Sequence, residues 1–357
     1  DSMVTGYRQT SGWGRTRTVY FAMKFSKPFA SYGFQNGSKK QVYKGFWRKF
    51  DQEHNFPEMA GTHIRAYFNF STTSNEQLTV KFALSPVSTA NALLNMNAEA
   101  TGRSFDEIRK TGEDAWEKEL SKTRITADKE VMENFYTALY HTYINPTVYT
   151  DVNGEYMGLD RNVHQAEGFT NYTTFSLWDT YRALHPLLNL LQPARNSDMI
   201  SSMLAHYDQS VHHMLPVWSN SANENWCMIG YHSVSAIADA IVKDTYKGDA
   251  TKALGACIAT ANHDQFEGIG DYRRLGYVPE DKSGASVSKT LEYAYDDWCI
   301  AQAAKKMGNE DVFNTFSKRA EYYRNVFDAS TGFMRPRLSN GTFKKDFDVL
   351  NTDEAGY

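Results

Sequence analysis

The chain has 357 residues with a formal net charge of −4, and 41% of its residues are hydrophobic. Because this length exceeds what one hydrophobic core normally serves, two domains are expected. The weak negative charge and the lack of a long basic run argue against nucleic acid as a partner. No apolar run reaches the roughly 18 residues of a membrane span, which argues against membrane insertion.

The first 87 residues alternate between apolar and polar side chains, the period of strands with one buried face. The clearest runs are residues 19–25, 64–70 and 78–84, whereas residues 26–29 and 35–40 predict loops. An antiparallel β-sandwich over 1–87, truncated at its start, is therefore expected.

From Ser88 the apolar period lengthens, and residues 88–125 predict a helical linker that is solvated on one side. From residue 126 onward the chain predicts successive helices joined by long polar loops. The predicted helices begin at Asp128 and continue at 176–191, 197–213, 232–244, 249–261, 287–307 and 310–327. The cysteines Cys227, Cys257 and Cys299 have no metal-site spacing and are expected to be buried hydrophobes.

The most informative segment is residues 168–193, in which a hydroxyl-rich run precedes an apolar helix carrying Trp178 and Asp179. An indole face packs against the C–H groups of a sugar, and a carboxylate accepts hydrogen bonds from its hydroxyls. Arg182 is spaced to pair with Asp179. The alternative is a core tryptophan beside an aspartate that satisfies helix amides.

A second polar loop, before the helix at 232–244, contains Glu224 and Asn225 and is followed by Tyr231 and His232. Loops carry binding residues more often than cores do. We therefore take Glu224, Asn225 and His232 as candidate ligand contacts. The alternative is that an asparagine caps the helix and His232 makes a buried hydrogen bond.

Three carboxylates, Glu292, Asp296 and Asp297, lie on one predicted helix, and the first two share a face. Such a pair suits acid–base catalysis or a hard cation. The alternative is a structural ion-paired cluster with Lys289 and a neighbouring arginine.

Five blocks, taken together and in this order, resemble glycoside hydrolase family 92, the calcium-dependent exo-acting α-mannosidases. They are GFTNYTTFSLWDTYRALHPLLNLLQP (168–193), HMLPVW (213–218), NENWCMIGYHSV (223–234), SVSKTLEYAYDDWCIAQAAKKMG (286–308) and TGFMRPR (331–337). The resemblance extends over nearly the whole chain.

This resemblance implies a β-sandwich followed by an (α/α)6 toroid, with the first part of the toroid in residues 126–357. It implies a mannose-containing glycan as substrate, an α-1,2 preference, inversion of configuration, calcium as cofactor, and a secreted or periplasmic location. It puts the terminal mannose against Trp178 and Asp179. Arg161 and His164 lie in a polar loop that is similar to one of the family, and they are candidate rim residues.

Seven predicted helices cannot close a six-hairpin ring, so we expect an internal piece that lacks both ends. The family's general acid lies in an EGNAWQY-like motif, which would begin just after Tyr357, with the base further on. Asp353 and Glu354 do not match that motif. No catalytic residue is therefore expected in the chain, and its calcium ligands are unknown.

Two other functions stay open at this point. One is a polysaccharide lyase on the same toroid, for which Tyr231 and His232 are the suggestive pair. The other is a non-catalytic glycan-binding module.

Overall fold

The computed structural model describes residues 2–37, 39–40 and 59–350, so Asp353 and Glu354 lie outside the described residues. The chain forms two compact units. One comprises Asp1–Arg8 and Val19–Thr111, and the other comprises Gln9–Thr18 and Gly112–Tyr357. The domain boundaries at residues 87 and 125 stay a prediction.

The N-terminal region is built from strands, as predicted. They are β1 (Met3–Thr10), β2 (Arg17–Phe25), β3 (Ser31–Asn36), β4 (Lys39–Lys40), β5 (Ile64–Asn69) and β6 (Val80–Ser85). Two sheets result, in the orders β1-β2-β6 and β4-β3-β5, and the pairs β2–β6, β3–β4 and β3–β5 are antiparallel. Phe25 of the first sheet contacts Phe68 of the second, with ring centroids 5.4 Å apart. Tilted aromatic rings therefore join the two sheets.

The structure corrects two details of this region. The sequence predicts a loop at residues 35–40, but Gln35 pairs with Lys40 in a β3–β4 hairpin that turns at Gly37. The φ of Gly37 is +60°, a left-handed conformation that glycine adopts without strain. Helix α1 (Thr89–Glu99) covers the side of the β2–β6 pair that carries small residues. Ala22 and Ala83 pack against this helix, whereas Phe82 is 55% exposed. Small side chains let the helix approach the sheet, and alternation alone does not identify which face it covers.

The remainder is helical, which confirms the predicted fold class of an antiparallel β region followed by helices. The helices are α2 (Phe105–Leu120), α3 (Lys129–Thr142), α4 (Leu177–Thr180), α5 (Leu184–Leu191), α6 (Pro193–Gln209), α7 (Ser233–Val242), α8 (Ala250–Ala261), α9 (Ile269–Leu275), α10 (Ser286–Lys306) and α11 (Glu310–Ala320), followed by a 3-10 turn (Glu321–Val326). Within the described ranges, none of these helices is long and apolar enough to cross a membrane.

Short strand pairs connect the helices. They are β7 (Thr147–Val148) with β10 (Tyr172–Thr173), β8 (Glu155–Met157) with β9 (Val163–Gln165), β11 (Phe175–Ser176) with β12 (Trp218–Ser219), and β13 (Phe327–Asp328) with β14 (Phe333–Met334). The single helix predicted at 176–191 is in fact two, α4 and α5, separated by residues 181–183. This break changes the direction of the chain directly after Trp178 and Asp179.

The helical core is centred on α10, which packs against α7, α8 and α11 and contributes the fully buried Tyr293 and Ile300. Alanines on its inner face, including Ala301 and Ala304, are also fully buried. Since small residues let helix backbones approach closely, α10 is enclosed on most of its circumference.

One buried carboxylate joins four of these elements. Asp297 on α10 accepts hydrogen bonds from Tyr231 Oη before α7 (2.9 Å), Tyr272 Oη on α9 (2.9 Å) and Arg319 Nε on α11 (2.8 Å). Asp297 is fully buried, and the Arg319 side chain is 7% exposed. Burial raises the pKa of Asp297 to about 7, although Arg319 and the two hydroxyls act to lower it. The donors present satisfy the ionised form, so this is a structural ion pair, and its arginine is Arg319.

Replacing Asp297 with Asn should destabilise the chain strongly, because it leaves the Arg319 cation buried without its counter-charge. We expect the free energy of unfolding to fall by about 3–5 kcal/mol, measured as a lower urea midpoint. The double variant Asp297→Leu/Arg319→Met should lose less, since it removes both charges.

The matched control is Asp271→Asn on α9, whose partner Arg274 is 67% exposed. Exposed pairs add little to stability, so its midpoint should stay close to that of the parent chain. An Asp297→Asn midpoint as high as that of the control would contradict the structural role of Asp297.

Candidate functional site

Trp178 and Asp179 lie on α4, a single helical turn directly after β11. Asp179 is exposed, and its Oδ2 accepts a hydrogen bond from the Ser176 hydroxyl. Trp178 is half-buried, and its indole N–H has no hydrogen-bond partner. An exposed carboxylate beside an indole is an arrangement that suits a sugar ring.

A second aromatic pair lies next to this turn. Ser176 of β11 pairs with Trp218 of β12, and directly opposed residues of an antiparallel pair share a face. The Trp218 ring lies 4.8 Å from that of Trp13, which is 63% exposed. Trp13 and Trp218 therefore form an aromatic surface on the side of the strand pair where Ser176 holds Asp179.

The segment that carries Trp13 is pinned in place by Asn223 and Arg161. The Asn223 side-chain amide donates to the Thr16 carbonyl (3.1 Å), and its oxygen accepts from Arg161 Nη2 (2.5 Å). Arg161 Nη1 also donates to the Thr16 carbonyl (3.1 Å). An added Cβ at Gly14 would lie 3.0 Å from the Asn223 amide nitrogen, so glycine permits this close approach. Arg161, predicted as a rim residue, thus supports the segment that presents Trp13.

Glu224 organises the loop that carries Trp218. Its carboxylate accepts backbone N–H groups of Val217 (3.0 Å), Trp218 (2.8 Å) and Trp226 (2.9 Å), and its side chain is 5% exposed. His206 Nε2 lies 3.4 Å from the same carboxylate, and burial lowers the pKa of His206 to about 3. The described contacts of Glu224 are therefore with a neutral imidazole and with the backbone of its own loop.

Glu292, His232 and Asp296 form a second cluster behind α4. His232 Nδ1 lies 2.8 Å from Asp296 Oδ1, and its Nε2 lies 3.3 Å from Glu292 Oε2. Glu292 also accepts from Tyr181 Oη (3.1 Å) and from Arg182 Nη2 (3.4 Å). Arg182, expected to pair with Asp179, instead pairs with Glu292, because the break after α4 turns its side chain toward α10.

The other predicted site residues are less closely connected. Asn225 has a side-chain amide whose nitrogen and oxygen are both buried without a partner. His164 lies 3.0 Å from both carboxylate oxygens of Asp160, and its ring stacks on that of Tyr156 at 5.7 Å. The described contacts thus connect Trp178, through Arg182, with Glu292, His232 and Asp296. The described contact of Asp179 is with Ser176, and neither set extends to His164 or Asn225.

A cavity of about 30 Å³ lies behind the strand pairs β7–β10 and β11–β12. Its lining includes Tyr149, Tyr156, Asn171, His206 and Gln209. Ligand pockets usually enclose several hundred Å³, so this cavity is suited to water and not to a sugar ring.

Comparison with known proteins places this geometry in a family. Residues 1–85 match the N-terminal domain of glycosyl hydrolase family 92, and residues 91–357 match the catalytic domain of that family. The chain belongs to glycosyl hydrolase family 92.

Solved structures agree with this assignment to family 92. A family 92 α-mannosidase from Bacteroides thetaiotaomicron is 46% identical with a TM-score of 0.91, over 99% of this chain and 47% of that one. The structure of that enzyme in complex with mannoimidazole is similar, at 47% identity and a TM-score of 0.89, over 98% of this chain and 45% of that one. A family 92 inverting mannosidase from the same organism is 31% identical with a TM-score of 0.87, over 97% of this chain and 47% of that one.

A curated relative, an uncharacterized secreted glycosidase from Arthroderma benhamiae, is 24% identical over 331 residues. The match covers 84% of this chain and 38% of that protein. The chain therefore spans about half the length of the solved relatives, and less of the Arthroderma one.

Within the described part of this family 92 chain, no group of three or more His, Cys, Asp or Glu side chains is arranged to hold a metal ion. Asp179 is exposed, whereas Asp296 and Asp297 are fully buried. The residues present thus do not fit a calcium site built from such side chains, and we derive no chemical step through calcium.

Sequence reasoning did not find Trp13. The signal was available, because Trp13 lies between Gly12 and Gly14 just before a predicted strand, where a large aromatic has no core to fill. Its partner Trp218 is the last residue of HMLPVW (213–218), one of the blocks that carry the family resemblance.

Asn223→Ala should release the segment that presents Trp13, because it removes a buried amide that holds Thr16 and Arg161. Losing such hydrogen bonds should raise the local opening equilibrium roughly tenfold. Trypsin cleavage after the exposed Arg15 and Arg17 should accelerate by a similar factor, which peptide mass spectrometry measures. Asn340→Ala, in an exposed turn, is the control. Equal cleavage rates in the two variants would contradict the pinning role of Asn223.

Proposed function

We propose that this chain forms the sugar-holding part of an exo-acting α-mannosidase that removes terminal α-linked mannose from glycans. The observation that carries the proposal is the exposed Asp179 carboxylate, which follows Trp178 in sequence and is bound by Ser176, the strand partner of Trp218 in the Trp13–Trp218 surface, in a chain of family 92. The similarity to α-mannosidases, one of them in complex with mannoimidazole, supports mannose as the sugar.

Each of these residues has a proposed part in binding. Trp178 and Trp13 offer flat apolar faces to the C–H groups of the ring. The Asp179 carboxylate accepts hydrogen bonds from two adjacent hydroxyls, oriented by Ser176. Asn225 is a further candidate, because a buried amide without a partner is costly unless a ligand or water satisfies it.

Hydrolysis also needs a protonated carboxyl and a carboxylate that activates water, which in an inverting enzyme lie about 6.5–9.5 Å apart. Glu224, Asp296 and Asp297 are buried and engaged by several donors each. These contacts support structural roles for the three carboxylates. We therefore assign the general acid and the general base to residues that follow Tyr357 in the complete protein. Inversion and an α-1,2 preference belong to the proposal through the resemblance to the family.

Calcium is likewise proposed for the complete protein on the basis of the family. When bound, it would hold two hydroxyls of the terminal mannose. The proposal assigns its ligands outside the described residues, since those residues gather no set of three suitable side chains. The (α/α)6 toroid is also proposed on the basis of the family, with the helical region as its first part.

The lyase alternative is disfavoured by burial. Tyr231 is 0% exposed with its hydroxyl on Asp297, and His232 is 1% exposed. Neither group can reach the proton of a uronide. A binding module without catalysis stays the second candidate, and turnover distinguishes it from a mannosidase. A secreted or periplasmic location is proposed from the family and from the relative that is described as secreted.

The test is hydrolysis of an aryl α-mannoside by the longer protein, which carries this chain together with the half present in the relatives. We expect mannose to be released initially as the β-anomer, which proton NMR detects, and the release to stop when calcium is chelated. The 357-residue chain alone should release none. Robust hydrolysis by the chain alone, or an unsaturated uronide as product, would overturn the proposal.

Asp179→Ala in the longer protein should lower kcat/KM by roughly ten- to hundredfold, because it removes charge-assisted hydrogen bonds to the sugar. The melting temperature should change little, since the side chain is exposed. Asp271→Asn on α9, whose side chain is 28% exposed, is the control. Normal kcat/KM in a folded Asp179→Ala enzyme would remove this residue from the site.

A further inference from the structure

Behind the proposed sugar site lies a chain of contacts that none of the sugar-binding residues explains. It begins at Asp296 on α10, passes through His232 to Glu292, and ends at Tyr181 and Arg182 directly after α4. His232 and Asp296 are 1% and 0% exposed, whereas Arg182 is 52% exposed at its side chain. The chain of contacts therefore leads from the core to the surface.

Helix α4 depends on such contacts. It has four residues and no side-chain hydrogen bond at its N-cap. A single turn is far below the length at which a helix is stable by itself, so packing must hold it. Leu177 of α4 is fully buried in the core. Tyr181 adds further packing, since its ring stacks on the His232 imidazole at 4.0 Å and 16° and its hydroxyl donates to Glu292.

Arg182 connects the Glu292 carboxylate with the Trp178 ring. Its guanidinium carbon lies 5.1 Å from the centre of the Trp178 ring and 4.9 Å from that of Tyr181, while one nitrogen binds Glu292. A cation over an indole face is attracted by the ring. The position of the Glu292 carboxylate therefore fixes both the cation over Trp178 and the residue that ends α4.

Resting on the proposed function, we infer that His232 is a positioning residue of the Trp178–Asp179 sugar site, acting through Glu292 on Tyr181 and Arg182. A charged imidazole has a proton on each nitrogen and can face two carboxylates at once. A neutral imidazole that keeps its proton on Nδ1 for Asp296 turns the lone pair of Nε2 toward Glu292, 3.3 Å away. Glu292 then loses a favourable neighbour, and Tyr181 and Arg182 lose their fixed acceptor.

The groups around His232 decide its charge. Burial lowers the pKa of His232, and so does Arg182, but Asp296 and Glu292 outweigh them, so the pKa lies above its usual value. The ring of Tyr295 on α10 lies 6.5 Å away. His232 is also the N-cap of α7, and a helix N-terminus disfavours a cation, which the two carboxylates offset.

Gly230 makes room for this imidazole. Its backbone has a φ of +85°, and an added Cβ would collide with the His232 ring. Three consecutive residues thus have three roles. Gly230 forms the turn, Tyr231 donates its hydroxyl to Asp297, and His232 contacts Asp296 and Glu292.

Fluorine NMR of the 357-residue chain labelled with 5-fluorotryptophan tests the inference without a sugar. Trp178→Phe and Trp218→Phe assign two resonances. We expect the Trp178 resonance to titrate between pH 5 and 9 with an apparent pKa above about 6.5, and the Trp218 resonance to stay constant. In Glu292→Gln, which keeps the buried His232–Asp296 pair and so favours folding, the Trp178 resonance should move and its titration should disappear.

Glu280→Gln is the matched control, because the Glu280 side chain is 16% exposed, against 18% for Glu292, and it pairs with Lys344. It should leave Trp178 as in the parent chain. A Trp178 resonance insensitive to pH in the parent chain, or one that titrates identically in Glu292→Gln, would overturn the inference.

Kinetics of the longer protein separate this inference from the proposed function. Glu292→Gln should raise KM for an aryl α-mannoside roughly tenfold, the cost of one misplaced charged contact. In the parent protein KM should rise with pH above neutrality as His232 loses its charge, and in Glu292→Gln this rise should disappear. Unchanged KM in an active enzyme would count against the positioning role. Absence of mannosidase activity in the parent protein would refute the proposed function and leave the NMR test intact.

Discussion

The helical unit depends on a single buried carboxylate. Asp297 is reached by Tyr231 before α7, Tyr272 on α9 and Arg319 on α11, and the next residue toward the N-terminus, Asp296, accepts the Tyr231 N–H and the His232 imidazole. Two adjacent residues on α10 therefore fix the start of α7 from two directions. A buried charge is tolerated only when its partners are complete, so this cluster also specifies which helices must be neighbours.

The carboxylates of the chain divide between two tasks according to burial. Glu224 organises a loop by accepting its backbone N–H groups, whereas Asp296 and Asp297 organise helices. Asp179 differs because it is exposed and has a hydroxyl partner on its own strand turn. Glu292 is 18% exposed, and its carboxylate contacts both the buried His232 and the exposed Arg182. The role proposed for Asp179 in sugar binding therefore rests on its exposure and on its few internal donors, and not on its residue type.

The helices and strands were predictable wherever local signals decide them. The helix predicted at 287–307 is Ser286–Lys306, and that at 249–261 is Ala250–Ala261 with Asp249 as its N-cap, because apolar period and caps are properties of the adjacent sequence. The break between α4 and α5 was not predictable, since Tyr181 is held by Glu292, 111 residues away. Likewise, the segment that carries Trp13 is held by Asn223 and Arg161, which are distant in sequence, and the Trp13 ring meets that of Trp218. Periodicity identifies an element, whereas long-range partners decide where its side chains lie.

The segment Gln9–Thr18 also has a consequence for biosynthesis. Thr16 leaves the ribosome 207 residues before Asn223, to which both its backbone groups are bonded. At about 5–20 residues per second, this interval lasts on the order of 10–40 s. During that time Trp13 lacks its ring partner Trp218, and Thr16 lacks the side chain that later binds it. The sequence of the segment, QTSGWGRTRT, is polar and contains two glycines. Such a sequence is compatible with solvation until Asn223 has been synthesised.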